Sequence, residues 1–443
     1  MLEATPMVKT LNWRAYLSEP DMRDMLLGSL AGLLVKVLAA ISLFAMNVVV
    51  TRTIGAAEAG LFFLAFTLIT IIATAGRIGL DQAVVRFIAS DVASGGSKQT
   101  YSVFSKAIQW TLAVTLGLSL VCWLGAEWLN NNVFELPGFE MVFRTMLFSA
   151  PFMALYLIHA QALQGLKKVS RAMLVSSVVL PVGILLLILL MPVNNAKALS
   201  DYVVFASVLT LATGWYFWMQ SAPEAKGQTP FSSALLRATC MPLWTVAIVH
   251  QVIQWSSQLL LGVWESAESV AYFATAQRTA MLTSFILFAV NTIAAPKFAA
   301  MHSTGNMPGV KRMALISVRI MLAVSVPVTL CILLFPAWLM SVFGEEFRQA
   351  APALVILAIG QFINIATGSV GYLLSMTGNE TKVRDNVVIS GVVTVVLGIF
   401  LIPSFGVIGA SIAYACGVAS QNLLGVYQVN KHLGFNTLCF WRS

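Results

Sequence analysis

The sequence predicts an all-α, polytopic integral membrane protein. Three observations carry this. Of 443 residues, 58% are hydrophobic and only 10% are charged, where a soluble chain carries about 25% charged residues. The mean hydropathy is +0.85. The chain also divides into apolar runs of about 20 residues, the length a helix needs to cross the hydrocarbon core.

We count twelve such runs: 26–50, 60–79, 107–129, 141–163, 172–193, 202–222, 238–263, 270–296, 313–342, 350–376, 386–403 and 407–429. The segments between them are too short to fold as separate aqueous domains. Residues 1–25 hold Glu3, Glu19, Asp21 and Asp24 and no short apolar core before a cleavage site. No cleavable signal peptide is expected, and the first run should act as the signal.

Charge sets the expected direction. With a cytoplasmic N-terminus, the outer loops hold only Arg52, Lys197 and Arg348 of the 26 Lys and Arg. Lys36, Arg77, Arg144, Arg278 and Arg319 lie within runs, and the rest fall on the inner side. That is a strong positive-inside asymmetry, and it puts both termini in the cytoplasm. The net charge of +8 is dispersed over short loops, which argues against a nucleic-acid partner. An even count suggests six plus six spans: an N-lobe, 1–222, and a C-lobe, 223–443, joined by the Pro-, Gly- and Ser-containing loop 223–237. Gly55-Ala-Ala-Glu-Ala-Gly before the second run is echoed by Gly262-Val-Trp-Glu-Ser-Ala before the eighth. Transporters commonly place the substrate between such repeats.

At about 100° per residue, polar residues collect on stripes. Asn47 shares a face of span 1 with Lys36. Thr67, Thr70, Thr74, Arg77 and Asp81 share one in span 2, and His250, Gln251, Gln254, Ser257 and Gln258 one in span 7. Thr275 and Arg278 lie together in span 8, and Gln361, Asn364, Gly368 and Ser375 in span 10. Such residues either line a cavity or bind helix to helix. Arg77, Arg144 and Arg319 lie close enough to run ends to snorkel to the interface. His159 and His250 read as structural histidines. Asp81 follows Arg77 by one turn, so a local ion pair is expected, and transport is not expected to need a buried acid.

Lys36 and Arg278 differ from the rest. Lys36 lies ten residues and Arg278 eight from the nearer run end, hence about 15 and 12 Å deep at 1.5 Å per residue, and no Asp or Glu lies at comparable depth. A cation there costs roughly 2.5–3.5 kcal/mol even on insertion scales. Two such cations point to an internal cavity that accepts an anion.

Other chemistry is absent from the sequence. There is no phosphate loop of the Gly-x-x-x-x-Gly-Lys type, no His-Glu-x-x-His and no Cys-x-x-Cys. The five cysteines have no metal-ligand spacing and read as apolar packing residues. Neither an enzyme nor a cofactor or metal site is expected.

Arg52-Thr-Ile-Gly-Ala-Ala-Glu-Ala-Gly-Leu-Phe, followed by Gly79-Leu-Asp-Gln-Ala-Val-Val-Arg-Phe-Ile-Ala, resembles the Wzx-type polysaccharide-biosynthesis flippases. Leu373-Leu-Ser-Met-Thr-Gly-Asn-Glu-Thr-Lys and Leu401-Ile-Pro-Ser-Phe-Gly-Val-Ile-Gly-Ala-Ser-Ile-Ala extend the resemblance to the C-terminal part. In these segments Gly55 and Gly60 suit a tight outer turn, and Pro403 can end a helix before Gly406. Gly409 and Ala410 suit close helix packing.

The resemblance implies the fold of the multidrug/oligosaccharidyl-lipid/polysaccharide exporter superfamily: two six-helix lobes forming a V around a central cavity lined by spans 1, 2, 7 and 8. It implies a flippase of the bacterial inner membrane, moving an undecaprenyl-diphosphate-linked oligosaccharide of O-antigen or exopolysaccharide type. Lys36 and Arg278 would hold the diphosphate, and Arg52 would stand at the outer gate. Asn47, Thr70, Thr74, Arg77, Gln251, Gln254, Gln258, Thr275 and Asn364 would line the polar cavity for the sugar. Polymerase and glycosyltransferase machinery would be its partners. The alternative is a multidrug or cation exporter of the same superfamily, which should carry mid-membrane acids that this chain lacks.

Overall fold

The computed structural model describes residues 20–94, 99–223 and 229–439. The ends expected in the cytoplasm, 1–19 and 440–443, lie outside the described residues. Every regular element among those described is helical. We number the principal helices α1 (Pro20–Gly76), α2 (Leu80–Ala93), α3 (Thr100–Leu124), α4 (Phe139–Leu147), α5 (Ser149–Gly165), α6 (Val169–Ser177), α7 (Val179–Leu190) and α8 (Ala196–Ser221). They continue as α9 (Ser233–Trp264), α10 (Ala267–Met281), α11 (Phe285–Ser303), α12 (Met307–Leu334), α13 (Ala351–Ala366), α14 (Val370–Met376) and α15 (Glu380–Leu433). Among the described residues, seven helices are long and apolar enough to cross a membrane, or nine if the bent pairs α4–α5 and α6–α7 each count as one span. The chain is a multi-pass membrane protein.

Two of those helices are hairpins. A straight α1 of 57 residues would extend about 85 Å, well beyond a bilayer. It breaks at Gly55, where φ is 75° and ψ 176°, a conformation open to glycine at no steric cost. Asn47 and Phe63 would lie about 24 Å apart on a straight helix, yet both touch the Arg278 side chain. The two legs of α1 therefore lie side by side. The break frees the N–H of Ala56, and the Glu346 carboxylate accepts it at 2.8 Å, an acid at a helix N-terminus.

In α15 the break is at Gly406, φ 51° and ψ −126°. Ser390 Oγ donates to the Gly417 carbonyl at 2.8 Å, about 40 Å distant had the helix been straight. Pro403 does not end the helix as expected; it sits inside it, and the reversal waits for Gly406. Gly60 is likewise not a turn residue. A Cβ there would lie 1.7 Å from the Ala267 carbonyl, so its role is to let α10 approach the second leg of α1.

The expected eighth span is interrupted by a 3-10 turn, Leu282–Ser284. On one side of it, α10 packs against α1. Beyond it, α11 packs on α12 and α14. The segment expected to be an inner loop after span 2 contains α2, which packs on α5 through Ile88 and Gly165.

Candidate functional site

Arg278 stands one turn before the 3-10 break, on the part of α10 that packs against α1. Its Nη1 donates to Asn47 Oδ1 on the first leg. Its guanidinium lies 4.1 Å from the centroid of Phe63 on the second leg. It pairs with no carboxylate among the described residues; the ion pairs there are Arg77–Asp81, Arg144–Glu140, Lys197–Asp201, Arg348–Glu345 and Arg384–Asp385. The half-buried guanidinium is thus held by a neutral amide and an aromatic face, with its positive charge uncancelled. This is an anion-receptive arrangement.

Lys36 lies on the same face of α1 as Asn47, since eleven residues advance about 20° net, but about 16 Å further along the axis. It is half-buried. A lysine side chain on a helix leans toward the N-terminus, here away from Arg278. The structure does not bring the two cations together: one diphosphate cannot touch both at once.

Arg52 joins the halves of the chain. Its Nε donates to the Val342 carbonyl at 2.7 Å. Glu346 holds Ala56, and Phe343 meets Phe44 edge-on with centroids 5.4 Å apart. Phe347 packs edge-on to Tyr272 of α10, whose hydroxyl accepts from Gln349 Nε2. The segment 342–349 therefore lies between α1 and α10 and closes the bundle at the Gly55 end. Phe343 and Phe347 are fully buried in it.

Several residues expected to line a cavity bind helix to helix instead. Gln258 Nε2 donates to the Phe63 carbonyl and to Thr67 Oγ1, at 3.0 and 2.9 Å. Gln251 Nε2 donates to Thr74 Oγ1 at 2.6 Å, and Trp244 Nε1 to the Ala75 carbonyl at 3.0 Å. Trp244, Gln251 and Gln258 recur every seven residues, as do Thr67 and Thr74. A seven-residue repeat keeps one helix face on one partner, so α9 and the second leg of α1 zip antiparallel. Inside a membrane a polar side chain seeks such a partner. Thr275 is fully buried, with its hydroxyl on the Ala271 carbonyl, and Thr70 bonds back to Phe66. His250, expected on the face of Gln251 and Gln258, is exposed. Gln254 is half-buried on α9. Asn364 Nδ2 donates to Gln361 Oε1, which also accepts from Ser284 Oγ in the 3-10 turn.

Arg77 does not snorkel. It is 8% exposed, donates to Thr74 Oγ1 and lies 2.7 Å from Asp81. Arg144, by contrast, lies over Trp123 and pairs with Glu140. His159 is structural: Nδ1 bonds the Leu155 carbonyl at 2.8 Å.

Asp81→Asn should lower stability, toward the lower end of the roughly 3–5 kcal/mol seen when one partner of a buried pair is removed, because Arg77 keeps its bond to Thr74. Activity per folded molecule should persist. The melting temperature in detergent and an activity assay normalised to folded protein check this. An unchanged melting temperature with lost activity would give Asp81 a role beyond the ion pair.

A separate groove of about 420 Å³ on α3, α5 and α8, bounded by Tyr101, His159 and Trp215, lies away from both cations. Phe63, Glu346 and Ser284 were not legible as site residues. Phe63 is one apolar residue among many, and the other two act through neighbours distant in sequence.

Comparison with known proteins agrees with this architecture. An uncharacterized membrane protein of Methanocaldococcus jannaschii is 24% identical over 430 residues, 89% of this chain and 82% of that protein. A probable low-salt glycan biosynthesis flippase of Haloferax volcanii is 25% identical over 178 residues, 40% of this chain and 38% of that protein. Among solved structures, an inward-facing multidrug resistance MATE family transporter of the MOP superfamily superposes with a TM-score of 0.76 at 16% identity, over 92% of this chain and 98% of that one. The lipid II flippase MurJ in an inward closed conformation superposes with a TM-score of 0.75 at 13% identity, over 91% and 87%. These give the fold. The MatE profile matches residues 242–403, and the profile described as polysaccharide biosynthesis protein matches residues 25–302, more than half of the sequence: the chain belongs to the polysaccharide biosynthesis protein family.

Proposed function

We propose that the protein is a flippase for a lipid-linked oligosaccharide, a glycan repeat unit of O-antigen or exopolysaccharide type carried on a polyprenyl diphosphate such as undecaprenyl diphosphate. The observation that carries the reading is Arg278: a guanidinium deep in an apolar run with no carboxylate partner among the described residues, held between the two legs of α1 by Asn47 and Phe63. An anionic headgroup would take that charge, the sugar would follow in the opening between the helices, and the polyprenyl tail would stay in lipid.

In this reading the chain spans the membrane twelve times, as lobes 1–222 and 223–443, with both termini cytoplasmic. The membrane is the plasma membrane, which in a bacterium is the inner membrane. The Gly55 end then faces outward, and its closure by residues 342–349 makes this the inward-facing state of an alternating-access cycle. Lys36, about 16 Å toward the cytoplasmic end, would be a first station for the phosphate and Arg278 the second. The protein performs no chemistry on its cargo. Glycosyltransferases would supply it and a polymerase would consume it.

The match to MatE over 242–403 supports a second reading, a multidrug or cation exporter. Proteoliposomes separate the two. Flipping of a fluorescent lipid-diphosphate oligosaccharide, with no efflux of a cationic dye, is the expected result. Dye efflux without lipid flipping would overturn the proposal.

A further inference from the structure

We propose that Asn47 is a positioning residue that sets the anion affinity of Arg278 by occupying it with a neutral, exchangeable partner. The inference rests on the flippase reading above and names a role within that site.

The geometry around the guanidinium is specific. Its five N–H donors lie in one plane. The Phe63 ring centroid lies 4.1 Å from the guanidinium carbon, a cation–π contact that holds the group without consuming a donor. Asn47 then takes one Nη1 donor and so sets the rotation of the plane. Asn47 is itself held in place, because its Nδ2 donates to the Leu43 carbonyl at 2.6 Å and the residue is 1% exposed. With the amide nitrogen committed to Leu43, the carbonyl oxygen is the end presented to Arg278; the flipped amide would set N–H against N–H.

The choice of an amide has a chemical consequence. A carboxylate at this position would cancel the charge and hold both edges of the guanidinium. An amide satisfies one donor and leaves the charge available. The Asn47 bond has only one ionised partner, whereas a phosphate oxygen brings an opposite charge and bidentate geometry to the guanidinium, so a phosphate outcompetes the amide. Asn47 lies on the first leg of α1 and Arg278 on α10, so the same exchange cuts a bond between the two halves of the chain. Arrival of the anion and release of this contact are one event.

The test uses the purified full chain in detergent and farnesyl diphosphate, a short polyprenyl diphosphate, as the probe. Two quantities are read: the ligand-free melting temperature and the affinity for the probe. Asn47→Asp should weaken binding by about tenfold or more, because an ionised acceptor now competes with the ligand, without lowering the ligand-free melting temperature. Asn47→Leu should lower that melting temperature, because Arg278 loses its acceptor, while binding stays at or above the wild-type affinity. Asn47→Ser, smaller and still an acceptor, should also bind at or above wild-type affinity and serves if the leucine variant does not fold. Wild-type affinity in Asn47→Asp overturns the inference. So does loss of binding in the leucine or serine variant as complete as in Arg278→Ala, which would make Asn47 a direct ligand. If Arg278→Ala itself binds like wild type, the anion-site reading fails and this inference fails with it.

Discussion

Replacing Arg278 by alanine should abolish flipping of lipid-linked oligosaccharide, with the protein still present and folded in the membrane. Removing one partner of a buried, hydrogen-bonded charge contact costs about 2–5 kcal/mol, and each 1.4 kcal/mol is tenfold, so a loss of roughly 30- to 4,000-fold in transport is expected. The alanine variant also frees Asn47 Oδ1 and uncovers Phe63. These losses are local, because the helix contacts through Gly60, Gln251 and Gln258 remain. Arg278→Lys should retain part of the activity: an ammonium still attracts phosphate but lacks the planar fork that stacks on Phe63 while bonding Asn47. From sequence, Lys36→Ala is expected to be as severe. The structure separates the two residues by about three turns of α1, so Lys36→Ala should raise the substrate concentration needed for half-maximal transport more than it lowers the maximal rate. Reconstituted flipping measured across substrate concentrations checks both statements. Normal transport by the double alanine variant would sink the cationic-site reading altogether.

Tying residue 52 to residue 342 should stop transport. In the described state Arg52 reaches the Val342 carbonyl at 2.7 Å, and Ala56 is held by Glu346 at 2.8 Å. The segment 342–349 then lies across the seam between α1 and α10. If the cycle opens the Gly55 end, these contacts must break each turnover. A short, reducible thiol crosslinker across Arg52→Cys and Val342→Cys makes one of them permanent. The five native cysteines, all free thiols, would first be replaced. Transport should fall to background in proportion to the crosslinked fraction and recover on reduction. Undiminished transport by fully crosslinked protein would exclude opening at this end. Glu346→Ala gives a graded version: loss of the cap on Ala56 costs about 0.5–2 kcal/mol, enough to favour the opened state without abolishing the cycle.

The membrane nature of the chain and the positions of most helices were legible because they depend on composition and local run length. A stretch such as 107–129 cannot be stable in water and spans a bilayer as a helix wherever it packs. The Arg77–Asp81 pair was expected from a helical four-residue spacing, but the structure forms it across a turn: α1 ends at Gly76, α2 begins at Leu80, and Ile78 and Gly79 between them have positive φ. Gly55 was legible as a turn, because its conformation suits glycine; Gly60 was not legible as a packing site, because its partner Ala267 lies some two hundred residues away.

What the stripes face was another matter. Periodicity says that Gln251, Gln258, Thr67 and Thr74 avoid lipid. It does not say whether the space beside them holds a cavity or another helix, because both environments ask for the same residue types. The seven-residue spacing of Trp244, Gln251 and Gln258 opposite Thr67 and Thr74 was the one available signal for direct packing, and it becomes decisive only when both helices are seen in register.

The sequence by itself determined that this is a many-spanned helical membrane protein with two deep cations and no deep acids. Those are properties of residues and of their depth along single helices. Only the tertiary structure decided that Arg278 is held by Asn47 and Phe63, about 16 Å along α1 from Lys36, that the zipper of α9 and α1 consumes much of the polar stripe, and that residues 342–349 lie between α1 and α10 at the Gly55 end. Each of these depends on how the legs of a hairpin and helices hundreds of residues apart come to lie against one another, and local periodicity carries no term for that distance.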